Sequence, residues 1–227
     1  MKLLVVANWK CNPASFKEAQ DIFKEIKKEA GLTKTEVVVC PPFVYLPVIG
    51  KGLVLGAQDV FWENPPTGGG AYTGEISPAM LKNAGCRYVI VGHSERRRLF
   101  KETDEMTNKK VRAVLAKKMK PILCIDRFSQ LKGGIKDLSS DDLKNLAVAF
   151  EPLSAIGTGK PYLVGKAGKM YSGIREIVGK DTRILYGGSV NSQNAADYVK
   201  RAGFQGLLVG GASLKPREFI GIIKAIS

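Results

Sequence analysis

Residues able to do chemistry stand where runs of apolar residues end. Ala7-Asn8-Trp9-Lys10 closes one run with an ammonium, and Gly92-His93-Ser94-Glu95-Arg96-Arg97 closes another with the only histidine in the chain. Phe150-Glu151-Pro152 ends a third with a carboxylate. Tyr186-Gly187-Gly188-Ser189-Val190 and Val209-Gly210-Gly211-Ala212-Ser213-Leu214 end two more with paired glycines. A carboxylate at the junction after Leu146–Phe150 sits half out of water, where its proton affinity rises and general-base chemistry becomes available. The stretch behind it, Ala155-Ile156-Gly157-Thr158-Gly159-Lys160, reads as a flap presenting backbone N–H groups. Each feature alone has a bland reading: a solvated Glu capping a strand, a satisfied polar His, glycines in tight turns. Five of them at five strand ends make a site.

These groups can meet only if the runs that carry them are strands of one sheet. Near-continuous apolar runs recur at Leu3–Ala7, Glu36–Cys40, Leu53–Ala57, Tyr88–Gly92, Pro121–Ile125, Leu146–Phe150, Thr182–Tyr186 and Gly206–Gly210. Short runs of this kind suit parallel strands buried on both faces. Amphipathic stretches lie between them at Phe16–Ala30, Thr103–Lys118 and Glu218–Ile226, with a glycine-weakened piece over 163–179. Ser77-Pro78 opens a further helix, and Asn191-Ser192 starts a segment running through Ala202. The alternation predicts an α/β fold, a single (β/α)8 barrel of the TIM type with eight parallel strands, spanning residues 1–227 as one domain. An open sheet is the alternative, but no GxGxxG follows the first strand to support its dinucleotide-binding version. The fifth crossover, between Asp126 and Leu146, is shortened: it holds Gly133-Gly134 and only a short helical patch at Asp141–Asn145. In such barrels chemistry lies where strands end, which is where the five groups stand.

The bulk composition narrows the partners. A chain of 227 residues, 44% hydrophobic, can bury one large core. Its 35 Lys and Arg against 21 Asp and Glu give a formal charge of +14, which favours an anionic partner such as a phosphorylated metabolite. The basic residues are dispersed, as at Lys109-Lys110 and Lys117-Lys118, so no nucleic-acid partner is expected. Cys11, Cys40, Cys86 and Cys124 form no CxxC, and with one His they give no metal site; no cofactor is called for. The apolar start of MKLLVVANWK is too short for a signal segment, and no run reaches the roughly 18 apolar residues of a membrane span. A reduced, cytoplasmic enzyme with no membrane partner is the expectation.

At this point the residues resemble a known family. ANWKCN (7–12), GAQDV (56–60), YTGEISPAML (72–81), VGHSERR (91–97), EP..AIGTGK (151–160), YGGSV (186–190) and GLLVGGASL (206–214) match triosephosphate isomerase in order and spacing, from end to end. The resemblance implies interconversion of dihydroxyacetone phosphate and D-glyceraldehyde 3-phosphate through an enediolate, a step of glycolysis and gluconeogenesis. It implies Glu151 as base, Asn8, Lys10 and His93 as donors to the developing oxyanion, and Glu95 as organiser of Lys10 and proton shuttle. His93 precedes a short helix whose positive end is expected to lower the imidazole pKa and keep it neutral. The resemblance assigns the phosphate to backbone N–H groups at Gly157, Ser189, Gly210 and Gly211. It assigns a closing lid to Pro152, Ala155, Ile156, Thr158, Gly159 and Lys160, with Tyr186. It implies a homodimer in which the loop Trp62–Glu75 reaches the partner through Thr73, Glu75 meets Arg96, and Cys11 lies in the receiving pocket.

The match breaks in three places. Ser154 stands where the family usually has Trp, and Asp126-Arg127 where it usually has Gly-Glu. Those two family side chains pair across the open lid, so their joint loss is expected to rebalance open and closed states without changing the reaction. The short fifth crossover is the third departure. A different phosphosugar barrel enzyme would share the phosphate loops but has no reason to combine NWK, GHSER and the Glu151 flap. A non-catalytic phosphate-binding barrel has no reason to keep Lys10, His93 and Glu151 together.

Overall fold

The structure, a computed structural model, describes residues 2–63, 68–155 and 161–227. Eight parallel strands pair in sequence order and close on themselves: β1 Leu4–Asn8, β2 Glu36–Cys40, β3 Val54–Ala57, β4 Cys86–Val91, β5 Lys120–Ile125, β6 Ala147–Phe150, β7 Arg183–Tyr186 and β8 Gly206–Val209. The seam is continuous, with β1 in register against both β2 and β8.

Alternation within each strand builds two apolar layers. Leu4, Val6, Val38, Cys40, Ile90, Ile122, Cys124, Leu185 and Leu208 fill the barrel interior. Their neighbours Val5, Val37, Val39, Val89, Val91, Leu123, Val148 and Ile184 face the surrounding helices. Both faces of every strand are therefore apolar, which is why the runs looked continuous in sequence. Polar closure comes at the strand starts: Tyr88 donates to Glu36 Oε1 at 3.0 Å, and Arg183 donates to Glu36 Oε2 at 2.9 Å. One ion-paired cluster thus ties β2, β4 and β7 together.

The outer layer holds α1 Phe16–Ala30, α2 Pro78–Asn83, α3 Ser94–Leu99, α4 Asp104–Ala116, α5 Phe128–Gly134, α6 Ser140–Lys144, α7 Val164–Val178 and α8 Pro216–Ile226. Local sequence starts them as expected: Ser15, Ser77 and Thr103 accept from the backbone N–H three residues on. α1 buries Ala19, Ile22, Phe23, Ile26 and Ala30 on one stripe.

Two expectations change. The fifth crossover is short, but it carries α5 as well as α6. The glycine pair ends α5 at a packing contact, since a side chain on Gly134 would come within 2.8 Å of Leu123 and one on Gly133 within 2.7 Å of Asp104. The segment from Asn191 to Ala202 is not a continuous α-helix. It contains a π-helical turn at Asp197–Arg201, a wider winding frequently found beside functional sites.

Candidate active site

The barrel delivers its chemistry to one mouth. Asn8 is the last residue of β1, His93 follows β4 by two residues, and Glu151 follows β6 directly. All three are buried. With Lys10, Ser189, Gly210 and Gly211 they line a cavity of about 320 Å³.

Glu151 is held from both sides of its backbone neighbourhood. Its N–H donates to Ile125 O at 2.8 Å, and Gly187 N–H donates to Phe150 O at 2.8 Å, so the sheet ladder runs one residue past β6. Gly187 must lack a side chain here, because a Cβ would sit 2.9 Å from Glu151 Cγ. Oε1 of Glu151 lies 3.3 Å from His93 Nε2, while Oε2 is buried with no hydrogen-bond partner. A buried carboxylate oxygen left unpaired is costly unless something else docks there.

His93 is the N-cap of α3. Its Nδ1 accepts from Glu95 N–H at 3.2 Å, which leaves the proton on Nε2, facing Glu151. Two influences compete on its pKa. Burial disfavours an imidazolium, and the Glu151 carboxylate favours one, with the net direction upward in the ligand-free chain. The sequence supplied the helix end but not the carboxylate that pulls against it. Glu151 also departs from expectation. Burial alone raises its pKa, but His93 and then Cys124 and Lys10 outweigh it, holding the carboxyl below its ordinary value. It stays ionised at neutral pH and can accept a proton.

Lys10 reaches the cavity through an unusual backbone. Its φ is +54°, a left-handed conformation that non-glycine residues seldom adopt. Asn8 Oδ1 accepts from Lys10 N–H at 3.0 Å, and Gln58 Nε2 donates to Lys10 O at 2.8 Å and to Cys40 O at 2.9 Å. Gln58 was not singled out in the sequence, although it stands just past β3 at the same rim. Lys10 Nζ donates to Glu95 Oε1 at 2.5 Å. Glu95 stands outside the main cavity and lines a neighbouring one of about 520 Å³, shared with Lys10, Glu151, Asp126 and Arg127.

The remaining expected residues divide. Gly157, Ile156, Thr158, Gly159 and Lys160 lie outside the described residues. Pro152 and Ala155 are buried, and Ala155 O accepts from Ser189 Oγ at 2.7 Å, joining the start of the flap to the β7 turn. Tyr186 is buried beneath that turn. Where the family pattern breaks, Asp126 N–H donates to Gln130 Oε1 at 2.8 Å, and Arg127 Nε lies 3.4 Å from Asp126 Oδ1.

Cys11, Thr73 and Glu75 are exposed. Arg96 is paired within its own chain, with Nε 2.6 Å from Glu102 Oε1 and 2.8 Å from Asp59 Oδ2. Lys110, on α4, closes that cluster by donating to both carboxylates. The cluster was not foreseen, since Lys110 sat in a pair of lysines that looked solvated, yet its side chain is 3% exposed.

The family model described as triosephosphate isomerase matches residues 3–226. The chain is similar to a protein named triosephosphate isomerase from Alkaliphilus oremlandii, 42% identical over 98% of each chain. It is similar to one from Thermoanaerobacter sp., 40% identical over 97% of this chain and 98% of the relative, and to one from Symbiobacterium thermophilum, 41% identical over 98% and 96%.

Proposed function

The chain belongs to the triosephosphate isomerase family, and we propose that Glu151, His93 and Lys10 together carry its interconversion of dihydroxyacetone phosphate and D-glyceraldehyde 3-phosphate. The observation that carries the assignment is the meeting of Glu151 and His93, from β6 and β4, at 3.3 Å in one cavity with Lys10.

Glu151 takes the proton beside the substrate carbonyl, using the Oε2 that has no partner in the free protein. Charge develops on the carbonyl oxygen as the enediolate forms. His93 Nε2–H, Lys10 Nζ and Asn8 meet it as donors already in place, so little reorganisation is needed at the moment of reaction. The Glu95 N–H on Nδ1 selects the tautomer that can donate from Nε2. Glu95 itself holds the Lys10 ammonium. The phosphate dianion sits against the backbone turns at Ser189 and Gly210-Gly211, with Gly157 completing the set on family grounds. On family grounds the flap 155–160, with Pro152 as hinge and Tyr186 as its partner, covers the enediolate, and exposure of that intermediate favours loss of phosphate. Ser154 and Asp126-Arg127 set how long the flap stays closed.

Two further readings belong here. The protein works as a homodimer, with Thr73 and Glu75 entering a partner pocket beside Cys11. The exposed Val44, Val48, Tyr72 and Phe100 support this, because they leave apolar surface uncovered in one chain. It acts in the cytoplasm, a setting suited to four free thiols. Among the described residues no helix is long and apolar enough to cross a membrane.

A coupled isomerase assay on wild type and Glu151→Gln tests the catalytic assignment. A kcat loss on the order of 10²–10⁴ is expected for the variant, with the fold retained. A folded variant as fast as wild type would remove Glu151 from the role of base.

A further inference from the structure

A second cavity adjoins the catalytic one, and the reaction scheme does not use it. It has about 520 Å³ against about 320 Å³. Lys10 and Glu151 line both, whereas the phosphate turns at Ser189 and Gly210-Gly211 line the smaller. The larger is walled by Ser94 at the start of α3, Ile125 at the end of β5, Asp126 and Arg127 just beyond it, and Leu153 after β6. The base and the ammonium therefore stand on the boundary between a phosphate chamber and a further chamber. A substrate held by its phosphate in the first puts its reacting carbons at that boundary. The part of the substrate beyond those carbons points into the second.

The lining says what that part is. Most of its charges are answered within the chain: Lys10 Nζ lies 2.5 Å from Glu95 Oε1, Arg97 Nη1 2.6 Å from Asp104 Oδ1, and Arg127 Nε 3.4 Å from Asp126 Oδ1. A second anion would compete with these carboxylates, and a purely apolar tail would cover polar groups without bonding them. A neutral hydroxyl suits both kinds of group, since it donates to a carboxylate and accepts from a guanidinium. Ile125 and the 59% exposed Leu153 offer apolar contact to the carbon that bears it. Holding one water takes only about 10–15 Å³, so a single CH2OH group asks little of this cavity. Asp126-Arg127 is also where the chain departs from the family's usual Gly-Glu, which makes this wall a feature of the chain itself.

We infer that the enzyme also isomerises a four-carbon ketose phosphate, tetrulose 1-phosphate, with its terminal hydroxymethyl group in the larger cavity. The inference rests on the proposed catalytic roles of Glu151, His93 and Lys10. Glu151 takes the proton from C3, and the electron pair of that C–H bond forms the C2=C3 bond of an enediolate, with the charge on the C2 oxygen. The enediolate then collapses the other way. The C3 hydroxyl gives up its proton and becomes the carbonyl, the C2 oxygen gains a proton, and Glu151 returns its own to C2. The product is tetrulose 4-phosphate, an isomer, so no atom or electron is gained or lost. In the triose a hydrogen stands where the hydroxymethyl group is, and that extra carbon is the only new demand on the site.

The test follows tetrulose 1-phosphate, supplied as both enantiomers and labelled with carbon-13 at C2, by NMR as the label passes from carbonyl to carbinol. Wild type is expected to convert it with a kcat/KM within about 200-fold of that for the triose phosphate, the range that one carbon commands in a pocket. Arg98 and Leu153 are exposed and line the larger cavity. At least one of Arg98→Trp and Leu153→Trp, which bring a bulky ring to its rim, should lower the ratio of tetrulose to triose kcat/KM about tenfold or more. Taking the ratio cancels any general loss of folded enzyme. Tetrulose turnover no faster than in Glu151→Gln, beside full turnover of the triose, overturns the inference. A ratio unchanged in both tryptophan variants overturns it too. A wild type inactive on the triose phosphate itself sinks the underlying catalytic reading, so the two failures are told apart.

Discussion

At the scale of single residues, the imidazole reports most directly on its neighbours. His93 is the only histidine, so its titration can be followed by NMR without ambiguity of assignment. Its pKa is pulled down by burial and up by Glu151, with Glu95 adding to the rise and Lys10 opposing it. In the ligand-free wild type the midpoint should lie above the ordinary value of 6.5, and in Glu151→Gln it should fall below it as burial takes over. Equal midpoints in the two proteins would mean that the carboxylate does not face the ring. The sign also fixes the stability contribution. For His93 it is complete below 6.5 and lost as pH rises through the raised value; for Glu151 it is present above 4.5 and lost as pH falls through the lowered one. Much at this scale was legible, because Lys10, His93 and Glu151 each interrupt or follow an apolar run. The direction of the Glu151 shift was not, since it depends on a partner 58 positions away in the chain that only the closed barrel brings to 3.3 Å. Gln58 was illegible for a related reason: its partners are the backbone carbonyls of Lys10 and Cys40, which leave no mark in a sequence.

At the scale of elements, the strands were readable because each is apolar on both faces, and β2 was read to the residue. α1 was equally clear, with a serine cap and a single buried stripe. α5 was missed because a glycine pair signals a break by propensity, whereas here tertiary contact with Leu123 and Asp104 requires the missing side chains. The strand starts add a prediction. Glu36 joins Tyr88 and Arg183; burial raises its pKa, but Arg183 and then Tyr88 outweigh that and hold it low. Glu36→Gln leaves the Arg183 guanidinium without its anion and should lower unfolding stability by about 1–2 kcal/mol at neutral pH, read by chemical denaturation. Because the Glu36 contribution exists above 4.5 and disappears as pH falls through its lowered pKa, the gap between the two proteins should close in acid. A gap of equal size at acidic and neutral pH would show that the carboxylate charge is not what holds the strand starts.

At the scale of the whole molecule, a net charge of +14 is what a protein handling small dianions can sustain, since the field favours their arrival. The proposed dimer belongs to this scale as well. Specific activity should fall on dilution below the dimer dissociation constant, with sedimentation run in parallel; full activity in a demonstrated monomer would contradict the assembly. The barrel itself was legible from eight runs and their spacing, but its closure depends on the β1–β8 seam, which no local pattern encodes. The account stands on groups from β1, β4 and β6 acting on one small substrate in one cavity. Its most direct test is isomerisation in heavy water, with deuterium counted at the carbon beside the product carbonyl. Wild type should incorporate solvent deuterium at the rate of turnover, because the proton passes through an exchangeable carboxyl, and Glu151→Gln should incorporate it on the order of 10²–10⁴ times more slowly. Label entering at the wild-type rate in a folded Glu151→Gln protein would contradict the account.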